Sequence, residues 1–142
     1  MKSFSETIRQ KIVERANNRC EYCLSSQQYV MGHLQIDHIM PIIKGGMTIE
    51  DNLCLACELC NQYKWTKTDG KDPKTGKLVR LFNPRKERWR DNFTWSPEGT
   101  EIMGLTPCGR STVMALRLNN PSSGHGYRSA AYQNICLNQR EN

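Results

Sequence analysis

The sequence has no long apolar run. No stretch approaches the roughly 18 apolar residues that a membrane-spanning helix needs, so we expect no membrane segment. The chain opens on Lys2, Ser3 and Phe4 and shows no apolar signal segment, and it contains no internal repeat. We therefore expect a cytoplasmic protein whose cysteines stay reduced.

Acidic residues are fewer than basic ones, 14 against 20, which gives a formal net charge of +6. This balance suits a polyanionic partner, usually a nucleic acid, although the same charge also serves solubility alone. The hydrophobic fraction is modest at 37%. A chain of 142 residues can build a small core from this material, and a bound metal can supply part of the missing stability.

The cysteines form two Cys-x-x-Cys pairs, Cys20 with Cys23 and Cys57 with Cys60. Each pair can bind one metal ion from a tight turn, and two turns complete a tetrahedral zinc site. Disulfides are the alternative, and the expected reducing compartment favours zinc. A closed site of four thiolates does no chemistry, so the functional residues should lie between the pairs.

Cys54 complicates this assignment because it also forms a Cys-x-x-Cys with Cys57. It lies in the apolar run 53–56, and we interpret it as a buried strand residue. Cys108 and Cys136 have no partner by spacing and are interpreted as plain thiols.

A strand, a turn, a second strand and a helix are predicted between and after the two pairs. Apolar and polar residues alternate from Leu34 to His38, which indicates a short strand. Asp37 and His38 at its end supply a hard oxygen ligand for a divalent cation and a base that titrates near neutrality. The remaining boundaries are marked by Pro41, Gly45-Gly46, Asn52 before the second strand, and Asn61 at the opening of the helix.

In this order, these motifs resemble the HNH endonuclease family, which has a ββα-metal fold. The matching residues are Cys20, Cys23, Asp37, His38, Pro41, Gly45-Gly46, Asn52-Leu53, Cys57, Cys60, Asn61 and Lys64. Many members carry His at the position of Asn61, and some carry Asn. The resemblance implies an α+β fold: a small zinc-stapled ββα-metal core with an N-terminal helix and a basic C-terminal extension.

The resemblance also implies a metal-dependent endonuclease, a hydrolase of DNA phosphodiester bonds, of bacterial or phage origin. His38 would be the general base, Asp37 and Asn61 would hold a catalytic Mg²⁺ or Mn²⁺, and Asn52 would fix the loop and orient His38. The structural Zn²⁺ would be bound by Cys20, Cys23, Cys57 and Cys60. Double-stranded DNA is the expected partner, and a dimer or larger complex stays open. Phosphate contacts are expected from Lys64, Lys67, Arg85, Arg88 and Arg90.

Three segments are expected: the core at 1–67, a basic and aromatic extension packed on it at 68–118, and a polar tail at 119–142. The core begins with a helix whose apolar stripe is Ile8, Ile12 and Val13, opened by a capping box from Ser3 to Glu6. The part from Leu78 to Leu118 also resembles an extension that follows the HNH core in some bacterial members.

Within the extension we predict a basic loop over 66–77, a strand over 78–82 and a helix that begins at Thr106-Pro107. The spacing of Arg85, Trp89 and Phe93 is helical. These aromatics could stack on bases, but a small domain needs apolar mass, so we interpret them as core.

Two other functions remain open at this point. A non-catalytic zinc-ribbon module that binds nucleic acid would explain the cysteines, the charge and the aromatics. It gives no reason for Asp37-His38 together with Asn52 and Asn61. A degenerate nuclease fold kept for protein contacts would explain all of these residues without activity.

Overall fold

A computed structural model describes residues 4–30 and 32–120. The predicted tail lies outside these residues except for its first two positions, and Cys136 lies outside them too. The chain mixes helices with small antiparallel sheets, so the predicted α+β class is confirmed. The elements in order are α1 (Glu6–Arg15), β1 (Gln35–His38), β2 (Leu53–Ala56), α2 (Glu58–Lys64), β3 (Asp69–Lys71), β4 (Leu78–Arg80), α3 (Trp89–Asn92), β5 (Phe93–Trp95), β6 (Ile102–Gly104) and α4 (Pro107–Ala115).

Strands β1 and β2 form the antiparallel hairpin at the centre of the first half. Gln35 lies opposite Ala56, and His38 lies opposite Leu53. Every residue of β2 is buried, because α1 packs against this strand and the hairpin lies inside the core. Both predicted strands are therefore confirmed, and α2 follows them directly to complete a ββα unit.

Helix α1 covers the hairpin with the predicted apolar stripe. Ile12 is fully buried, and Ile8 and Val13 pack against the same cluster. The predicted capping box is wrong in register: the cap is Ser5, whose hydroxyl accepts the N–H of Ile8 at 3.3 Å. Ser3 lies outside the described residues. The cap moves because the helix begins at Glu6, and a capping side chain reaches an N–H only two or three residues ahead.

Helix α2 begins earlier than its predicted start at Asn61. Its first residue is Glu58, and its N-cap is Cys57, whose sulfur accepts the N–H of Cys60 at 3.5 Å. The second cysteine pair is thus the first turn of the helix rather than a separate turn before it. Asn61 then lies one turn into α2, on a rigid element.

The extension adds two further hairpins and a helix. β3 pairs with β4, β5 pairs with β6, and α4 packs on β3, β4 and β6. Thr106 caps α4 and Pro107 opens it, as predicted, with the Thr106 hydroxyl accepting the N–H of Gly109 at 2.9 Å.

Three boundaries in the extension differ from the prediction. The predicted loop 66–77 contains β3, because its turn residues sit at the tip of a hairpin. The strand predicted over 78–82 ends at Arg80. The helical spacing around Trp89 produces only the single turn of α3, and the chain is extended again at Phe93, where pairing with β6 takes over.

One apolar cluster connects the extension with the ββα unit. Phe93 is buried and meets Phe82 edge-on at 5.2 Å between ring centroids. Trp89 packs on Phe93, and its indole N–H donates to the carbonyl of Tyr22 at 2.9 Å. The interpretation of Trp89 and Phe93 as core is confirmed. In residues 4–30 and 32–120, no helix has both the length and the apolar character needed to cross a bilayer.

Candidate active site and metal centre

The sulfur atoms of Cys20, Cys23, Cys57 and Cys60 meet at one buried point. All four lie within 4.8 Å of one another, and the sulfurs of Cys23 and Cys57 are 3.8 Å apart. A tetrahedron with metal–sulfur bonds of about 2.3 Å has an edge of about 3.8 Å. The four thiols therefore fit a structural metal such as zinc with little movement. The described cysteines form no disulfide, so the metal interpretation of the two pairs is the one that agrees with the geometry.

The surroundings of these thiols also suit a bound cation. Burial raises the pKa of Cys20, and hydrogen bonds with the neighbouring thiols, Cys20 first, raise the pKa of Cys60. The thiols of Cys20 and Cys60 therefore hold their protons more strongly than free thiols, and a bound cation would replace those protons. The N–H of Cys23 points at the sulfur of Cys20 at 3.4 Å, and the N–H of Cys60 does the same for Cys57, which stabilises negative sulfur.

Cys54 is not part of this cluster. It is buried in β2, where its sulfur lies 3.5 Å from the hydroxyl of Tyr22 and 3.9 Å from the carboxylate of Asp37. Burial raises the pKa of its thiol well above the usual range. The interpretation of Cys54 as a buried strand residue is confirmed.

Asp37, His38 and Asn61 line a single cleft of about 630 Å³ between the end of β1 and the surface of α2. Asp37 stands at its floor, with a side chain that is 8% exposed. One carboxylate oxygen, Oδ2, receives the Lys64 ammonium at 2.9 Å and the Tyr22 hydroxyl at 3.3 Å. These bonds fix the position of the carboxylate at the cleft.

Asn61 is oriented by a residue that the sequence did not single out. Its amide nitrogen donates to Oε1 of Gln35 at 2.6 Å, so its amide oxygen is directed away from that contact. Gln35 is two residues before Asp37 and lies on the same side of β1, a signal that strand periodicity offers. An oxygen from Asp37 and one from Asn61 form the kind of donor pair that Mg²⁺ or Mn²⁺ takes. The residues present fit a hard divalent cation.

His38 is almost fully buried, and its ring is held by Thr48. The Nε2 atom lies 2.9 Å from the Thr48 hydroxyl, and the ring of Phe4 is 5.9 Å away. Thr48 stands in the loop between the two glycines and Asn52. Nothing in the sequence distinguishes it from its polar neighbours, so it was missed.

Asn52 has a different partner from the one expected. Its amide bonds to the backbone N–H and carbonyl of Met40 and to the carbonyl of Met47, at 2.8, 3.0 and 2.8 Å. These bonds fix the loop, and the hydroxyl that contacts the His38 ring belongs to Thr48. Gly46 is needed in the same loop, because a Cβ at this position would lie 1.8 Å from the carbonyl oxygen of Met40.

The five predicted phosphate-binding residues fall into two groups. Lys64 is 2% exposed and donates to Asp37 and to the carbonyl of His38, so its ammonium is committed to the protein interior. Arg85 pairs with Glu21 in a half-buried position, where burial lowers the pKa of its guanidinium to about 10. Both differ from the surface role that the sequence suggested. Lys67, Arg88 and Arg90 are exposed.

Comparison with protein-family models matches residues 20–67 to the HNH endonuclease family. This segment is an HNH domain. It contains the four clustered thiols and the three candidate site residues Asp37, His38 and Asn61 of the cleft. The match ends at Lys67, so the extension lies beyond it. Neither a search of curated proteins nor a search of solved structures found a match to the chain.

Proposed function

We propose that this protein is a metal-dependent endonuclease that hydrolyses DNA phosphodiester bonds at its HNH domain. The observation that carries the proposal is the convergence of Asp37, His38 and Asn61 on one cleft. Hydrolysis of a phosphodiester needs a base for water, positive charge near the phosphate and in-line geometry. The cleft offers a candidate base, His38, and two candidate ligands for a cation, Asp37 and Asn61.

His38 is the proposed general base. Contact between Nε2 and the Thr48 hydroxyl fixes the imidazole ring, which would take the proton of an attacking water. Asn52 supports this arrangement indirectly, because it fixes the loop that carries Thr48. Attack on the phosphorus with loss of the 3′ oxygen would leave 5′-phosphate and 3′-hydroxyl ends.

Asp37 and Asn61 are the proposed ligands of the catalytic divalent cation. A cation bound there would supply positive charge to the phosphate and the leaving oxygen. Lys64 holds Asp37 in place, and Gln35 holds Asn61, so the two oxygens are oriented before the cation arrives. The exposed Lys67, Arg88 and Arg90 are the proposed contacts to the DNA backbone.

Zinc at the four cysteines has a structural role in this proposal. Cys20 and Cys23 lie ahead of β1, and Cys57 and Cys60 open α2. One ion bound by both pairs would tie the strand that carries Asp37 and His38 to the helix that carries Asn61. Sulfur ligands and oxygen ligands thus serve two different ions.

Cleavage of plasmid DNA by the purified chain with Mg²⁺ or Mn²⁺ tests the proposal. We expect His38→Ala to lower the rate about 10²- to 10⁴-fold, the usual contribution of a general base. His33→Ala is the matched control, because His33 is exposed and lies outside the cleft, and it should keep the wild-type rate.

Other outcomes identify the alternatives. Binding of DNA without cleavage under any cation, unchanged by His38→Ala, would favour the zinc-ribbon module. Neither binding nor cleavage by a folded, zinc-loaded chain would favour a degenerate fold that serves protein contacts.

A further inference from the structure

Trp65 is a large aromatic residue left exposed at the rim of the cleft. It caps the C-terminal end of α2, four residues after Asn61, and its side chain is 74% exposed. Its backbone angles, φ 46° and ψ −118°, are energetically unfavourable for any residue that has a side chain. Its N–H donates to the carbonyl of Asn61 at 2.9 Å. The core gains little from this ring, so its position calls for another explanation.

Two further exposed apolar residues line the same cleft. Ile42 and Ile43 lie in the short 3₁₀ turn after Pro41, are 50% and 80% exposed, and line the same cleft as Trp65. An exposed apolar patch on a soluble domain usually marks an interaction site. Here the apolar residues share the cleft with Asp37, His38 and Asn61, which are buried or half-buried and form its polar floor.

A nucleobase matches this combination of apolar walls and polar floor. When a phosphodiester lies on the floor, the base of an adjacent nucleotide extends from it as a flat aromatic ring, and every base has a π-face that an indole can cover. A protein partner would explain the walls but would leave the polar floor without a ligand.

The base must already be free of its neighbours. In a continuous duplex the faces of the bases are covered by stacking, so Trp65 can reach only a base that has left the stack. One stack onto an aromatic side chain contributes about 5- to 150-fold in affinity, equivalent to about 1–3 kcal/mol. Unpairing and unstacking cost least for a base that is mismatched or already single-stranded.

We propose that Trp65, with Ile42 and Ile43, forms a pocket for an unpaired base next to the scissile phosphate, so that the protein prefers DNA carrying unpaired bases to continuous duplex. This inference rests on the proposed function, because the phosphate on the floor is what brings the base to the pocket. The pocket makes Trp65 a binding and specificity residue and gives it no part in the chemical step.

Binding measured without cleavage is the first test. The His38→Ala protein is titrated, by fluorescence anisotropy, with a matched duplex, the same duplex carrying a bulged base, and a single strand. We expect a clear preference for the two DNAs with unpaired bases. Adding Trp65→Ala should weaken binding to these DNAs about 5- to 150-fold and change matched-duplex binding little, and Trp65→Phe should keep most of the preference.

Leu78→Ala is the control for loss of exposed apolar surface, because Leu78 is 75% exposed on β4 and does not line the cleft. It should bind all three DNAs like the parent. Equal binding of matched and unpaired DNA, or an equal loss on all three DNAs with Trp65→Ala, overturns the inference. The inference is also overturned if the protein self-associates, if Trp65→Ala abolishes this association, and if DNA binding is unchanged. In that case a second copy of the chain, and not a base, occupies the pocket.

Cleavage rates on the same DNAs separate this inference from the proposed function. If the wild type cuts matched and bulged duplex at equal rates and Trp65→Ala does not alter that ratio, the base pocket is refuted and the endonuclease stands. If the wild type cuts none of the DNAs while Trp65-dependent binding persists, the endonuclease is refuted and the pocket stands as a binding site.

Discussion

The ammonium of Lys64 lies 2.9 Å from Oδ2 of Asp37, with both side chains almost fully buried. The same ammonium donates to the carbonyl of His38 at 3.0 Å. A single lysine on α2 thus contacts the side chain of one candidate site residue and the backbone of the next. The two bonds hold the Asp37 carboxylate in place, and a phosphate would have to displace both of them to reach the ammonium.

Replacing Lys64 should destabilise the fold strongly. Lys64→Met leaves the Asp37 carboxylate buried without its counter-charge, and breaking a buried pair in this way typically costs about 3–5 kcal/mol of unfolding free energy. Urea unfolding measures the loss. Lys67→Met, at an exposed lysine three residues on, is the control and should change stability by less than about 1 kcal/mol.

The double variant Asp37→Asn with Lys64→Met removes both charges and should recover part of the stability that Lys64→Met alone loses. Mn²⁺ should also raise the stability of the Lys64→Met protein if Asp37 is a metal ligand, because the cation replaces the missing charge. Equal unfolding free energies of the Lys64→Met and Lys67→Met proteins would show that the ion pair between Lys64 and Asp37 does not stabilise the fold.

Metal analysis should find one zinc ion per chain, bound through sulfur. Cys57→Ser should lose this zinc and unfold the core, since sites of this kind fold together with their metal. Asp37→Asn should keep the zinc and lose cleavage. Near-native melting of the Cys57→Ser protein would show that the four thiols are not needed for folding. Anomalous scattering from an ion at Asp37, with none at the four cysteines, would refute the prediction of a structural zinc site.

Thr48 should matter for turnover more than for DNA binding. Thr48→Val keeps the shape of the side chain but removes the hydroxyl 2.9 Å from Nε2 of His38. We expect kcat to fall by about tenfold, on the scale of one lost hydrogen bond, with KM nearly unchanged. Thr48→Ser restores the hydroxyl and should restore kcat. A rise in KM with constant kcat would point to a role in substrate binding instead.

The centre of the fold could be predicted from the sequence because its signals are local. The alternation around Asp37, the apolar run after Asn52 and the spacing of the four cysteines each define a strand or a turn within a few residues. Together they indicated the ββα unit without any tertiary information. The cap formed by Thr106 and Pro107 was predictable for the same reason.

The errors arose where distant residues decide the structure. Lys64 and Arg85 have the sequence context of surface cations, but each finds an acidic partner far along the chain, Asp37 and Glu21. The helical spacing around Trp89 yields a single turn, because Phe93 pairs with Gly104 in a hairpin instead. Contacts between residues that are distant in sequence cannot be predicted from a short sequence window.

Asp72 shows how the extension is held together, and its ion pair leads to a prediction about pH. Its carboxylate receives two hydrogen bonds from the Arg110 guanidinium, at 2.9 and 3.0 Å, and joins the β3–β4 hairpin to α4. It also accepts the N–H of Lys74 and the hydroxyl of Thr75. The bonds from Arg110 are the main reason that the pKa of Asp72 lies well below its usual range.

Because the pKa of Asp72 is lower in the folded state than in the unfolded chain, its charge stabilises the fold at pH values above the unfolded pKa of about 4. This contribution is lost as the pH falls below that value toward the folded pKa. Asp72→Asn should therefore lower Tm at pH 7, and the gap to the wild type should narrow as the pH drops below about 4. Asp69→Asn, at an exposed carboxylate of the same hairpin, is the control and should leave Tm nearly unchanged at both pH values. Each variant is compared with the wild type at the same pH. A difference in Tm that stays constant with pH would show that the Asp72 charge does not stabilise the fold.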